Sequence, residues 1–281
     1  MSVYYVNGQF VPSNEAVIPA SDLAVLRGFG AFDFLRTYGG RPFRLKDNIA
    51  RLRRSCDIIE LALPYTDEQI FDIVMQTLES NRHLSDEFNI RLVVTGGISP
   101  DNITPTGESN LIVMVTPLQP PPAHWYTDGV KVIIVDIERI YPDSKSTNYI
   151  PAIIAQKRAR EQGAIEALYQ RNGRILEGTT TNVFAFFGDE LVTPAAGILP
   201  GITRQTILEL AEPHYPITIR ELPVAEFLRA DEVFITAANK QVVPVVQVDD
   251  TVFSGGRPGP RTQHIMALFH ERTQAVANAV P

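Results

Sequence analysis

The sequence predicts an α+β protein of two domains. A small N-terminal α/β domain spans residues 1–117, a proline-rich linker covers 118–122, and a larger, barrel-like domain spans 123–281. Two observations carry this. Pro120, Pro121 and Pro122 follow Leu118 and Gln119, and consecutive prolines remove backbone donors and hold the chain extended. Beyond them, strand patterns outnumber helix patterns, which suits a curved sheet with a few covering helices.

Taken in order, Val3 to Phe10 alternates around Asn7-Gly8, a hairpin turn signal. Arg44 to Leu61 reads as a helix, because Leu45, Ile49, Leu52, Cys56 and Ile59 recur at helical spacing and form one apolar stripe. Thr66 to Asn81 reads as a second helix, opened by Thr66-Asp67-Glu68. Asn89 to Thr95 and Leu111 to Val115 read as strands. In the second domain, Val130 to Ile137 is a strand, and a helix starts near Pro151, since proline suits a first helical turn, and runs to Gly163. Ala164 to Tyr169, Val183 to Phe187, Val233 to Thr236 and Val242 to Val246 read as strands. Asn172-Gly173 marks a turn between two strands. Thr203 to Ala211 and Pro260 to about Val276 read as helices.

Composition narrows the function classes. The 281 residues are 44% hydrophobic and 20% charged, as in globular proteins. A formal net charge of −7 argues against a nucleic-acid footprint. Cys56 is the one cysteine, so neither an internal disulfide nor a cysteine-based metal site is expected, and no other metal site is expected. The N-terminus lacks a basic start followed by an apolar core, and no stretch approaches the roughly 20 apolar residues of a membrane span. A cytoplasmic enzyme is the expectation.

Three blocks carry chemistry. The first is Asp143-Ser144-Lys145-Ser146-Thr147-Asn148-Tyr149. Alone, Lys145 reads as a solvated loop lysine, but a lysine amine is also the group that can bond a carbonyl cofactor and then move a proton. The second is Leu176-Glu177-Gly178-Thr179-Thr180-Thr181-Asn182-Val183-Phe184. Its Glu177 alone reads as a surface carboxylate at a strand end. Facing a pyridine nitrogen, it would keep that ring protonated and electron-accepting. The third is Leu199-Pro200-Gly201-Ile202-Thr203-Arg204, which opens a helix whose free N–H groups and dipole favour a phosphate. Arg51 lies beside the apolar stripe of the first long helix, and a guanidinium grips phosphate through paired hydrogen bonds. Arg54 points the other way.

In order and spacing these blocks resemble the fold-type IV pyridoxal-phosphate aminotransferases: branched-chain aminotransferases, D-amino acid aminotransferases and aminodeoxychorismate lyases. The resemblance covers most of the chain and implies pyridoxal 5'-phosphate as cofactor. It casts Lys145 as the Schiff-base lysine and Glu177 as the partner of the pyridine nitrogen. It makes Leu199 the residue packed on the ring, Ile202 and Thr203 phosphate donors, and Tyr149 the tyrosine near the ring oxygen. Asn48-x-x-Arg51-Leu52 resembles the family's His-x-x-Arg-Leu motif, with Asn48 in place of histidine, which gives Arg51 to the phosphate. Where the family usually supplies a serine or threonine to the phosphate, this chain has Ala237-Ala238-Asn239-Lys240. Ala238 offers only its backbone N–H, so the grip is expected to be weaker by one hydrogen bond, about 1 kcal/mol.

The resemblance also bears on substrate. Ser21 to Phe34 resembles the segment that borders the substrate pocket, often from the partner subunit, and includes Arg27 and Phe32. Arg91 stands in an apolar strand, where a basic side chain is costly unless paired. With Lys240, this pattern resembles non-standard bacterial D-amino acid aminotransferases, in which arginines and a lysine bind substrate carboxylates. The expected reaction is transamination between D-glutamate or D-alanine and a 2-oxo acid, in a homodimer. Branched-chain L-amino acid transamination is the alternative, supported by Tyr149, and aminodeoxychorismate lyase comes third. A non-catalytic cofactor-binding protein is the reading from another class. It leaves the pair of Lys145 and Glu177 without purpose.

Overall fold

The computed structural model describes residues 1–279. The chain forms two compact units, and the division differs from the expected one. The first unit holds Met1–Gln119, then takes back Asp143–Asn148 and, of the described residues, 273–279. The second holds Pro120–Pro142 and Tyr149–Arg272. Lys145 therefore belongs with the N-terminal fold, although it lies beyond the proline run.

The first unit is built from β1 (Val3–Val6), β2 (Gln9–Pro12), α1 (Leu23–Arg27), β3 (Gly30–Tyr38), β4 (Arg41–Pro42), α2 (Leu45–Ile58), α3 (Asp67–Asn81), β5 (Phe88–Thr95) and β6 (Asn110–Pro117). Its six strands lie antiparallel in the order β2-β1-β6-β5-β3-β4. Strand alternation sends Leu35, Ile90, Leu92, Val94, Leu111 and Val113 to one face. There they bury Leu45, Ile49, Leu52 and Cys56 of α2 and Ile70, Val74 and Leu78 of α3. α2 starts after Arg44, which takes a left-handed conformation at φ 52°. α3 starts with a capping box: Thr66 Oγ1 accepts from Gln69 N and Gln69 Oε1 accepts from Thr66 N.

β3 was not among the expected strands. Its inward side reads Ala31, Asp33, Leu35 and Thr37, and all four are buried. An aspartate and a threonine in that series hide the period of two. The Lys145 strip runs along the edge of β3 left open by β5. Phe32 N donates to Lys145 O at 2.8 Å, Thr147 N donates to Gly30 O at 2.9 Å, and Ala31 bridges to Ser146. These bonds explain why the strip clusters with the first unit.

The second unit contains α4 (His124–Thr127), β7 (Val130–Asp136), α5 (Ile150–Glu161), β8 (Glu166–Arg171), β9 (Arg174–Gly178), β10 (Asn182–Phe187), β11 (Glu190–Pro194), α6 (Ile202–Ala211), β12 (Ile217–Arg220), β13 (Leu222–Pro223), α7 (Val224–Phe227), β14 (Glu232–Ala237), β15 (Gln241–Val248), β16 (Thr251–Val252) and the start of α8 (Pro260–Asn278). The sheet order is β12-β11-β10-β14-β15-β7-β8-β9-β13, with β16 beside β15. β9 and β13, near one end of this order, approach β10 and β11 near the other, so the sheet is nearly closed and barrel-like. Val132, Leu168, Ile175, Val183, Val233, Ile235 and Val243 belong to its main apolar core. α8 is seated by the buried carboxylate of Glu232, which accepts from Thr262 N at 2.7 Å and Arg261 N at 3.2 Å. Among the described residues, no helix is long and apolar enough to cross a membrane.

Candidate active site

In the first unit, α2 and β3 present the basic groups. Arg51 and Asp33 form a buried fork: Nε donates to Oδ2 at 2.9 Å and Nη2 to Oδ1 at 2.8 Å. Both side chains are buried, so the pairing is what makes either charge tolerable there. Asn48 Oδ1 accepts a longer bond from Arg51 Nη2 at 3.4 Å, one helical turn earlier. A phosphate role for Arg51 therefore shares the guanidinium with Asp33. One turn later Ser55 reaches the Lys145 strip: its Oγ accepts from Lys145 N at 3.0 Å and its carbonyl accepts from Ser144 Oγ at 2.9 Å. Lys145 Nζ lies 4.7 Å from the centroid of the Phe32 ring.

The outward face of the same sheet carries Arg91. Its guanidinium lies 5.4 Å from the Phe32 ring and 5.1 Å from the Phe34 ring. Arg91 is exposed, on the face opposite the apolar core, so the burial cost expected from its apolar neighbours does not arise. Phe32 thus has a reactive-type amine and a guanidinium against one ring. Arg27 is exposed at the end of the short α1 and donates to Leu26 O at 3.0 Å.

In the second unit the key group is the Glu177 carboxylate, buried at the end of β9. Oε1 accepts from Arg139 Nη1 at 2.9 Å, and Oε2 accepts from Leu199 N at 2.8 Å. Leu199 O in turn accepts from Asn182 Nδ2 at 2.9 Å. Glu177, Leu199 and the start of α6 are therefore one connected set. Tyr169 lies in the field of Glu177, and burial first, then that negative charge, pushes its phenol well above the usual range. Tyr149 precedes the first residue of α5. Ala238 sits in the turn between β14 and β15.

Whether this set fits a pyridine phosphate can be judged from its own unmet polar atoms. α6 begins at Gly201 with no side-chain cap, so its first N–H groups point to no side-chain acceptor. A Cβ at Gly201 would sit 2.0 Å from Asn182 Oδ1, so a larger residue there must push the Asn182 amide aside. Thr181 Oγ1 and Thr236 Oγ1 are buried with no hydrogen-bond partner. Thr236 pairs with Asn182 across β14 and β10. An anion-seeking helix start, orphaned hydroxyls and a fixed carboxylate are what a phosphate and a pyridinium need, and the residues fit.

Lys240, expected at a substrate carboxylate, is engaged by the chain itself. Its Nζ donates to Glu166 Oε2 at 2.8 Å and to Thr180 Oγ1 at 2.6 Å. Glu166 is fully buried and also accepts from Thr180 N at 2.8 Å and from Thr179 Oγ1. The lysine thus neutralises a core carboxylate and ties the β14–β15 turn to the Thr179–Thr180 turn. Sequence reasoning missed four residues here: Asp33, Ser55, Arg139 and Glu166. None sits in a recognisable local pattern. Each shows its part only beside a partner distant in sequence.

The family described as amino-transferase class IV matches residues 30–248 of the chain. A putative branched-chain-amino-acid aminotransferase of Methanocaldococcus jannaschii is 33% identical over 278 residues, covering 95% of each chain. A D-alanine aminotransferase of Staphylococcus haemolyticus is 30% identical over 277 residues, covering 96% of this chain and 98% of the relative. The crystal structure of the Escherichia coli branched-chain amino acid aminotransferase superposes with a TM-score of 0.90 at 25% identity, covering 96% of this chain and 94% of that one. With the Lys145 strip, the Glu177 carboxylate and the uncapped start of α6 already in place, these likenesses put the chain in the class IV (fold-type IV) aminotransferases, enzymes that depend on pyridoxal 5'-phosphate.

Proposed function

We propose that this aminotransferase works on D-amino acids, passing the amino group of D-glutamate or D-alanine to a 2-oxo acid, and that its working unit is a homodimer. The observation that carries the substrate reading is Arg91. Its guanidinium and the amine of Lys145 lie against the same Phe32 ring, at 5.4 and 4.7 Å from the centroid. An exposed guanidinium one ring away from the reacting amine suits a carboxylate, and arginine binds carboxylates through two parallel hydrogen bonds. D-glutamate brings a second carboxylate beyond the α-carboxylate that every amino acid carries, whereas a branched-chain side chain adds only methyl groups. The D-alanine aminotransferases among the relatives agree with this reading, and Tyr149 and the branched-chain relatives favour the alternative.

The residues divide the work as follows. Bound pyridoxal phosphate supplies an electron sink for the carbanion left when a Cα proton departs. Lys145 Nζ takes that proton and returns it on the other side of the exchange. Glu177, oriented by Arg139 and the Leu199 N–H, would face the ring nitrogen and favour its protonated form. Ile202, Thr203, Ala238 and Arg51 would hold the phosphate of the bound cofactor, Leu199 would pack on its ring, and Tyr149 would orient its oxygen. Arg27 and Arg91 bind substrate carboxylates.

Side-by-side assays with D-glutamate, D-alanine, L-leucine and aminodeoxychorismate test the proposal. Turnover should be fastest with a D-amino acid, and Arg91→Gln should raise KM for D-glutamate more than for D-alanine. Faster turnover of L-leucine would overturn it in favour of the branched-chain reading. Lys145→Ala should abolish all four activities.

A further inference from the structure

We infer that Ser55 is a positioning residue for Lys145, fixing the backbone from which the reactive amine extends. This rests on Lys145 being the reactive lysine, and it names the residue on which that lysine depends.

Ser55 is fully buried in α2, four residues after Arg51. Its hydroxyl donates to Arg51 O at 2.8 Å and accepts from Lys145 N at 3.0 Å. Its carbonyl accepts from Ser144 Oγ at 2.9 Å. A serine in a helix often donates back to the carbonyl four residues earlier. Here that bond aims the oxygen lone pairs out of the helix, toward a strip 90 residues further along the chain. The other end of the same residue is held by β3, where Phe32 N donates to Lys145 O at 2.8 Å. So the N–H and C=O of Lys145 are anchored to two different elements, which fixes where its four-carbon stem starts.

The chemistry explains why such anchoring matters. One amine must reach a cofactor carbon to bond, then a Cα proton, then the cofactor again, and misplacement by about 1 Å costs on the order of 100-fold in rate. Only a hydroxyl both donates to Arg51 O and accepts from Lys145 N. Alanine does neither, and threonine does both. Because Arg51 lies one turn away on the same helix, α2 also sets the spacing between that guanidinium and the Lys145 backbone.

The test uses holoenzyme of the wild type and of Ser55→Ala, Ser55→Thr and Ser144→Ala. Stopped-flow measurement of the first half-reaction follows the bound cofactor's visible absorbance after mixing with an amino donor. Ser55→Ala should slow this step about 10- to 100-fold, with the apparent donor affinity within about twofold of wild type. The midpoint of the pH titration of the cofactor band should shift as well, because the amine is held differently. Ser55→Thr should recover most of the rate. Ser144→Ala, which leaves the Lys145 N–H paired, should slow the step less than Ser55→Ala. A Ser55→Ala enzyme with wild-type rate and titration overturns the inference. So does a loss of rate that only mirrors loss of folded protein by circular dichroism, with Ser144→Ala at wild-type rate. Borohydride reduction followed by peptide mass analysis separates this from the underlying reading. If Lys145→Ala still carries attached cofactor, the role of Lys145 fails. If the adduct is lost there while Ser55→Ala behaves as wild type, only the role of Ser55 fails.

Discussion

The two units solve the same electrostatic problem with opposite signs. In the first, the charge proposed to meet the cofactor phosphate is the Arg51 cation, and a fully buried acid, Asp33, holds it in a two-bond fork. In the second, the charge proposed to meet the ring nitrogen is the Glu177 anion, and the partly exposed Arg139 holds one oxygen while the Leu199 N–H holds the other. The second unit has another acid–base pair, Glu166 with Lys240, whose further hydrogen-bond partners are Thr179 and Thr180. The comparison teaches that a buried ion pair does not by itself mark chemistry. What separates Glu177 from Glu166 is its surroundings. Glu177 is linked to a helix start with uncapped N–H groups, whereas Glu166 is saturated by a lysine and two threonines.

The sharpest way to break this contrast is Lys240→Met. It leaves Glu166 charged and buried with no cation, so stability should fall by about 3–5 kcal/mol. The double variant Glu166→Gln/Lys240→Met should recover much of the loss, since removing both partners strands no charge. Urea denaturation of the wild type and these two variants measures it. KM for D-glutamate in Lys240→Met should track that for D-alanine. A selective rise for D-glutamate would return Lys240 to the substrate.

Arg139→Gln should act on function more than on stability. The substitution keeps a hydrogen-bond donor but removes the charge that favours ionised Glu177. We expect kcat to fall about tenfold, equivalent to about 1.4 kcal/mol, with little change in KM. Steady-state kinetics against Arg139→Lys, which restores a charge, will show it.

A smaller effect comes from the core of the first unit. Burial pushes the Cys56 thiol up from 9.0 to about 12. The raised value means the neutral thiol is favoured in the folded state. Its stabilising contribution is therefore complete below pH 9 and is lost as pH rises towards 12. Cys56→Ala should be less stable at pH 8, and the gap should narrow as pH climbs through that window, measured by urea midpoints. Thiol reagents should not label the native wild type at pH 8. The smallest change is Thr66→Ala, which removes the hydroxyl of the α3 capping box. About 1 kcal/mol should be lost with no effect on turnover.

Much of the site was legible because it is local. The Glu-Gly-Thr-Thr-Thr-Asn run and the Leu-Pro-Gly-Ile-Thr start of α6 are contiguous, and turn and capping chemistry is written in neighbouring residues. The α2 stripe was legible because helical periodicity survives without knowledge of the partner. β3 was not, because Asp33 breaks the alternation of an otherwise inward-facing series, and the reason for an acid there is Arg51 on another element. The ion pair of Lys240 was hidden for the same reason: in the sequence it is a lysine in a turn, and its Glu166 is 74 residues away.

By itself the sequence determined the class of enzyme, and it singled out one lysine, one carboxylate and one helix start as the candidates for its chemistry. Covalent neighbours set those motifs, and a motif persists wherever the chain carries it. Only the tertiary structure decided which charges are spoken for and where Lys145 is anchored. Those questions turn on partners tens of residues away, drawn together by burial, because a buried charge or N–H must find a partner when water is excluded. The strip carrying Lys145 lies after the proline run, yet it is hydrogen-bonded to β3 and Ser55.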